Sequence, residues 1–290
     1  MKKYFILIPI YNDRESLTKL IDNINQVLKG LYVEVSILVV NDASSQQIVD
    51  NYPNTENIHS IEIINMKQNR GHARCIATGL KYIYEKKEFD YVIPMDGDGE
   101  DRPEEIKNFF ELSEKAEENS IIAERVKRSE GLLFQSCYQF HKFLTLAFTG
   151  QSIKFGNFTC LSKVTIEKML KEKATWNSFS GSLRKVEKNL ISMPSIRGTR
   201  YFGPSKMSFF NLIKHSFSMI SVYRKTVLIR SALFIVLYIL LIKNNASIIS
   251  SLPLVLLLIM IYSISSLALR ENMEEFEKSL LNINDIEKIK

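Results

Sequence analysis

The residues Tyr4 to Ile10 (YFILIPI) form a nearly unbroken apolar run, the pattern of a strand buried on both faces. A helical spacing follows from Glu15 to Leu28, with apolar residues at Leu17, Leu20, Ile21, Ile24, Val27 and Leu28. Val33 to Val40, Ile58 to Asn65, Tyr91 to Met95 and Ser120 to Glu124 read as further strands. His72 to Tyr84 and Glu104 to Ala116 read as helices, the second opened by Pro103 at a favourable first-turn position. This alternation predicts an α/β domain with a mostly parallel central sheet covered by helices on both faces. Ligands bind such sheets at the carboxyl ends of the strands. Three polar loops leave those ends, Tyr11-Asn12-Asp13, Asn41-Asp42 and Asp96 to Asp101, and are expected to converge on one edge.

The pattern changes near Tyr223. From Ser247 to Leu269 no residue is charged, and a helix of that length, about 35 Å, covers the hydrocarbon core of a bilayer. Pro253, in the first third of the run, is tolerated in such a helix. The earlier run, Ser231 to Ile242, spans only if its helix begins near Tyr223, with Arg224, Lys225 and Arg230 in the headgroup region or reaching toward it. Lys243, Asn244 and Asn245 form the turn. The division expected is a catalytic domain over residues 1–222 with a juxtamembrane region at about 195–222, a two-helix membrane hairpin over 223–270, and a charged tail over 271–290 read as a surface helix. Positive residues before the first span and Arg270 after the second place both hairpin ends in the cytosol. Met1 to Ile10 is too short for a signal peptide and runs into strand-like sequence, so the catalytic part is expected to face the cytoplasm.

Composition narrows the chemistry. The 290 residues carry a formal charge of +6, which suits an anionic membrane surface or a phosphorylated substrate. No helix-turn-helix, finger or RNA-binding signature points to nucleic acid. Cys75, Cys137 and Cys160 are too scattered for a disulfide framework or a zinc cluster and read as buried small hydrophobes. Neither G-x-G-x-x-G nor G-x-x-x-x-G-K-[ST] occurs, so a dinucleotide fingerprint and a P-loop are both absent. His59, His72, His141 and His215 lack metal-ligand spacing, and His72 is expected to make a local hydrogen bond. The aromatic stretch Phe134 to Phe148 fits a membrane-surface helix or ordinary core, and Trp176 is a weak candidate for a sugar pocket.

The segment Asp96-Gly97-Asp98-Gly99-Glu100-Asp101 packs four acids into six positions. So much negative charge after a buried strand is unfavourable unless a cation neutralises it. Hard oxygen ligands suit Mg²⁺ or Mn²⁺, which commonly bridge carboxylates and substrate phosphates. A calcium loop fails, because Lys107 stands where its twelfth position requires glutamate. Asp101 is also placed to cap the helix at Pro103, and Asp13 to cap the helix after it.

These segments together resemble the family 2 glycosyltransferases, in particular the branch of polyprenyl-phosphate (dolichol-phosphate) sugar synthases. Ile8-Pro9-Ile10-Tyr11-Asn12-Asp13 is similar to the family's I-P-x-Y-N-E, and Val39 to Ser44 to its V-D-D-x-S. Asn69-Arg70-Gly71-His72 with Gly79-Leu80 resembles N-x-G…A-x-x-x-G-L, and Met95 to Glu104 resembles D-A-D-x-Q-x-P-P-E. Gly156 to Leu161 is similar to G-D-F-R-L-L, and Arg197 to Lys206 to R-x-x-R-x-x-G-x-S-K. Glu100, Asn157 and Asp13 depart from the usual Gln, Asp and Glu, which leaves the sugar and the acceptor open.

The resemblance implies a GT-A fold and transfer of a sugar, with inversion, from a UDP- or GDP-sugar to a membrane polyprenyl phosphate. It implies that Asp13 and Asp42 hold base and ribose beside Pro9, Tyr11 and Gly71. Asp96 would meet the ribose or the metal shell, and Asp98 would ligate the metal on the diphosphate. An ionised lipid phosphate needs no general base, only cations to position two anions. Arg197, Arg200 and Lys206 precede the membrane segment, and Arg125, Lys127 and Arg128 form a second set. Transfer to a hydroxyl of a lipid-linked or polysaccharide acceptor would instead need a base, for which Glu100 and Asp101 are the candidates. A membrane-tethered nucleotide-sugar-binding protein without activity is a further alternative, and self-association is left open.

Overall fold

The computed structural model describes residues 1–46, 55–127, 132–203 and 209–290. Lys206, Arg128 and Cys137 lie outside what it describes in side-chain detail. Among the described residues eight strands, numbered in chain order, form one mixed sheet in the order β7-β5-β6-β4-β1-β2-β3-β8. Its centre is parallel: β1 (Lys3–Ile10) runs between β2 (Glu34–Asn41) and β4 (Tyr91–Pro94), and β3 (Ser60–Met66) lies beyond β2. On the other flank β6 (Phe155–Ser162) is antiparallel to both β4 and β5 (Ile121–Lys127), while β7 (Ile191–Ile196) pairs parallel with β5.

Successive side chains of β1 and β2 enter opposite cores, as the period of two demands. Tyr4, Ile6, Ile8, Val35, Ile37 and Val39 join the core under α1 (Arg14–Leu28) and α3 (Ile106–Lys115). Phe5, Leu7, Leu38 and Val40 join the core under α2 (His72–Lys86). Both faces are apolar because both are covered, so these strands read as continuous runs. Gly79 shows how close the helix lies: a Cβ there would sit 2.3 Å from a Leu7 methyl carbon.

The remaining elements are α4 (Leu132–Thr149), α5 (Lys163–Leu170), α6 (Phe179–Val186), α7 (Phe209–Ser221), α8 (Arg224–Ile242), α9 (Ile248–Ala268), α10 (Met273–Glu277) and β8 (Ile283–Lys288). Helices α8 and α9 are long and apolar enough to cross a membrane, with mean hydropathy of 2.2 and 2.4 over their most apolar stretches. Ser247 and Ser250 form a reciprocal capping box at the start of α9. Phe148, Ile220, Val227 and Ile264 join α4, α7, α8 and α9 in a small separate core. The Arg230 guanidinium donates to the Leu146 and Ala147 carbonyls at the end of α4, at 3.2 and 3.0 Å, because the unpaired carbonyls of a helix C-terminus attract a cation.

The tail is the clearest departure from expectation. Only Met273–Glu277 is α-helical, and the chain then pairs as β8, antiparallel to β3, at the sheet edge. Phe276 is buried and stacks on Trp176 with ring centres 5.5 Å apart. Glu275 accepts from the Trp176 indole N–H at 2.9 Å and pairs with Arg74 at 3.3 Å. Trp176 is therefore engaged by the C-terminal segment rather than held open for a sugar. The exposed edge of β3 supplies the reason: an unpaired strand edge recruits any segment that can add a strand.

Candidate active site

The carboxyl ends of β1, β2 and β4 open on the same edge, and hydrogen bonds stitch their loops together. Asn12 follows β1 with a positive φ of 49°, and its side-chain oxygen accepts from the Ser45 backbone at 2.9 Å. The Asn12 N–H donates to the Ser44 hydroxyl at 2.8 Å. Gly97 packs on the end of β1, where an added Cβ would lie 3.4 Å from the Pro9 carbonyl oxygen. Tyr11 is half exposed at this edge.

Asp42 is buried, and its two oxygens accept from the Arg70 and Gly71 N–H groups at 2.7 and 2.8 Å. Gly71 takes φ +93°, which only glycine adopts readily, so the chain can present both amides before entering α2. The next residue, His72, meets Asp96 at 3.0 Å, and Asn157 approaches the same oxygen at 3.4 Å.

The acidic loop is built in two layers. Asp101 lies underneath, buried: it accepts from the Asp96 N–H at 3.0 Å and from Arg125 at 3.3 Å. One expectation changes here. Arg102, not Asp101, occupies the cap position of the turn at Pro103. Arg125, expected at an acceptor phosphate, pairs here with Asp101, because a carboxylate so desolvated requires a counter-ion. Burial and the Asp96 charge nevertheless push Asp101 up to about 7, against the pull of Arg125. Glu105, unnoticed in the sequence, is a third buried acid: it accepts from Ser195 Oγ at 2.6 Å and from the Ile196 N–H at 2.9 Å. It thereby fixes where the segment after β7 begins.

That segment lies over the upper layer. Gly198 N–H donates to the Glu100 carbonyl at 2.8 Å and Tyr201 N–H to the Asp98 carbonyl at 2.9 Å. The Tyr201 ring covers Gly99 (φ +90°), where a Cβ would be 2.6 Å from the ring. Arg197 pairs with Glu100. Arg200 donates to Asp98 Oδ2 at 2.7 Å and also pairs with Asp13, which makes no side-chain cap on α1. Asp13 and Asp98, far apart in sequence, thus share one guanidinium. Neither candidate base is free: Glu100 is ion-paired and Asp101 is sealed below.

The electrostatics follow from this crowding. Burial and the neighbouring Asp96 charge raise the pKa of Asp98, while burial alone would also raise that of Asp96. The charge and hydrogen bond of His72 overcome burial at Asp96 and hold it well below the usual carboxylate range. Burial would lower His72, but Asp96, then Asp101 and Asp98, raise it above 6.5. The stabilisation from this pair is therefore complete between about pH 4 and about pH 6.5; it is lost as pH rises through the raised His72 value, and at acid pH as Asp96 takes up a proton. His72→Gln is expected to destabilise more near pH 6 than near pH 9. The difference is on the order of 1 kcal/mol or less, since His72 is 48% exposed and screened by solvent. Urea denaturation at the two pH values measures it, and equal losses would contradict it.

Among the described residues, no group of three metal-ligating side chains is preassembled.

Comparison with known proteins bears on the fold and the family. Solved structures similar to this chain include glucosyl-3-phosphoglycerate synthase from Mycobacterium tuberculosis in complex with Mn²⁺, UDP-glucose and phosphoglyceric acid. Identity is 12%, coverage is 78% of this chain and 80% of that one, and the TM-score is 0.56. The same enzyme in complex with Mg²⁺ and UDP matches at 12% identity, 78% and 79% coverage and a TM-score of 0.52. At that identity the likeness establishes the fold, which is GT-A. The sequence profile described as Glycosyl transferase family 2 matches residues 5–178, a span running from within β1 through β6 and holding every acid of the cleft, and this chain belongs to that family.

Proposed function

We propose that this glycosyltransferase moves a sugar, with inversion, from a UDP- or GDP-sugar to the phosphate of a membrane polyprenyl phosphate. The observation that carries the reading is the facing of two charge sets. Carboxylates Asp13, Asp96, Asp98 and Glu100 lie at the strand ends; from the segment that leads into α7 and the apolar hairpin, Arg200 pairs with Asp13 and Asp98, and Arg197 with Glu100. Donor chemistry belongs on the first set, beside Pro9, Tyr11, Asp42 and Gly71. An anionic lipid headgroup belongs on the second, with Lys206 and the membrane following in sequence.

Asp96 and Asp98 fit a divalent ion, Mg²⁺ or Mn²⁺. They are hard oxygen donors two residues apart in one acidic loop, where burial first and the neighbouring Asp96 charge second disfavour the Asp98 carboxylate unless a cation meets it. Such an ion, when bound, supplies Lewis-acid stabilisation of the leaving diphosphate. Asp98 would ligate it directly, and Asp96, oriented by His72 and Asn157, would stand beside it. A phosphate acceptor is already ionised near neutrality, which suits a cleft whose two candidate bases are ion-paired or buried. Its arginines need only hold the two anions at reacting distance.

Membrane placement rests on α8 and α9, with a cytoplasmic catalytic domain inferred from flanking positive charge. Docking of α7 before the hairpin and of α10 and β8 after it is consistent with both ends lying on one side.

The test uses the full-length protein in liposomes with labelled UDP- and GDP-sugars and either polyprenyl phosphate or hydroxyl acceptors. The expected product is lipid-linked and labile to mild acid. An acid-stable product formed only with hydroxyl acceptors would overturn the acceptor assignment.

A further inference from the structure

Arg200 occupies an unusual place. It lies on the segment proposed above to serve the acceptor, yet its guanidinium is spent on the donor side, bridging Asp13 and Asp98. Its backbone neighbours are pinned independently, by Gly198 N–H on the Glu100 carbonyl and Tyr201 N–H on the Asp98 carbonyl. Tyr201 is anchored further by the Asn23 amide at 2.8 Å. Arg200 Nε donates to the Phe202 carbonyl at 3.1 Å, within the same segment, so release of the carboxylates does not require the segment to lift off.

We infer that Arg200 is a built-in counter-ion of the donor site, which a divalent cation displaces from Asp98 so that its guanidinium becomes available to an anionic substrate. This inference rests on the metal reading given above. The physical basis is competition for one carboxylate. Arg200 Nη1 lies 2.7 Å from Asp98 Oδ2. A Mg²⁺ or Mn²⁺ ion held by that oxygen would stand close to the guanidinium's positive charge in a partly desolvated cleft. Two cations so placed repel, so binding one weakens the other. In the absence of metal, loss of the guanidinium leaves Asp98 beside Asp96 and Glu100 with its charge unmet, which is unfavourable. The exchange makes the order of binding physical: a lone anionic acceptor meets an arginine already paired, and metal with donor diphosphate releases it.

Arg197 offers the comparison. It carries the same charge on the same segment but pairs with Glu100, so its removal alters the field without vacating Asp98.

The experiment is a titration of Mn²⁺ into full-length detergent-solubilised protein, read by the free-ion EPR signal, for wild type, Arg200→Gln, Arg200→Lys and Arg197→Gln, with and without UDP. Without nucleotide, Arg200→Gln is expected to bind Mn²⁺ about tenfold or more tightly than wild type and more tightly than Arg197→Gln. Arg200→Lys, which keeps the charge but loses the two-carboxylate bridge, is expected to fall between and serves should the glutamine variant fail to fold. Mn²⁺ binding to wild type with UDP, together with unchanged or weaker metal affinity in the Arg200 variants, would overturn the exchange while leaving the metal reading intact. Gains equal to that of Arg197→Gln would also overturn it, reducing the effect to general charge. No Mn²⁺ binding to wild type even with UDP would defeat both.

Discussion

Asp98→Asn lowers glycosyl transfer by about 10³-fold or more, with a much smaller effect on folding. The magnitude follows from removing the charge that anchors cation stabilisation of the leaving diphosphate, a contribution of several kcal/mol in a partly desolvated site. Folding should change little, or improve, because Asp98 is held in the charged form against burial and the Asp96 field. Its partner Arg200 keeps Asp13. Initial rates with saturating donor, alongside a thermal melt, separate the two effects. A variant that loses activity only in proportion to lost folded protein would show Asp98 to be structural. One retaining more than about a tenth of wild-type rate would remove it from the metal site. Asp101→Asn provides contrast: Asp101 holds the Asp96 N–H and Arg125 from below, so its loss is expected to act first on stability.

Phe276→Ala is expected to cost about 3–5 kcal/mol of the docking energy of the C-terminal segment, the range for truncating a buried aromatic side chain. Phe276 is 1% exposed, packs with Ala77 and stacks on Trp176. Its loss leaves the Trp176–Glu275 hydrogen bond and the Arg74–Glu275 pair to hold α10 against water. Beyond α10, β8 depends on the same attachment, so backbone amides from Ile283 to Lys288 should exchange faster, together with those β3 amides that face them. Hydrogen exchange read by mass spectrometry locates the change. Leu281→Ala is the control, since Leu281 is 71% exposed and its truncation is expected to stay within about 0.5 kcal/mol. Unaltered protection of β8 in Phe276→Ala would mean that the strand pairs without the aromatic anchor.

The tail illustrates what local reading misses. Residues 271–290 alternate charge and apolar side chains at a density that suits a surface helix, yet Asn65, in β3, donates to Asp285 and Glu287 across a separation of more than two hundred residues. Nothing within twenty residues of Asp285 announces that partner. Arg125 shows the same limit at the scale of one side chain. Its position after an apolar strand was legible, but strand pairing decides which way it points, and it points to Asp101. Glu105 offered no signal, sitting inside a helical pattern whose neighbour Glu104 carried the motif.

Other features were open to reading because their causes are local. Strands covered on both faces must be apolar throughout, so β1 and β2 stand out; helices on those faces must be amphipathic, so α1 and α2 do too. Parallel order then forces the loops after β1, β2 and β4 to a common edge, and the acids of Asp13, Asp42 and Asp96 to Asp101 were visible there before any coordinate. Length and lack of charge likewise marked α9, and the apolar run from Ser231 to Ile242 marked α8.

The sequence by itself determined the fold class, the cleft's acidic character and the apolar hairpin, because each depends on composition and period over a few consecutive residues. Only the tertiary structure decided which cation meets which carboxylate, and that the tail closes the sheet. Those pairings arise where segments distant in the chain are brought within a few ångströms, and coulombic and hydrogen-bond energies at that range depend on position and burial rather than on residue type.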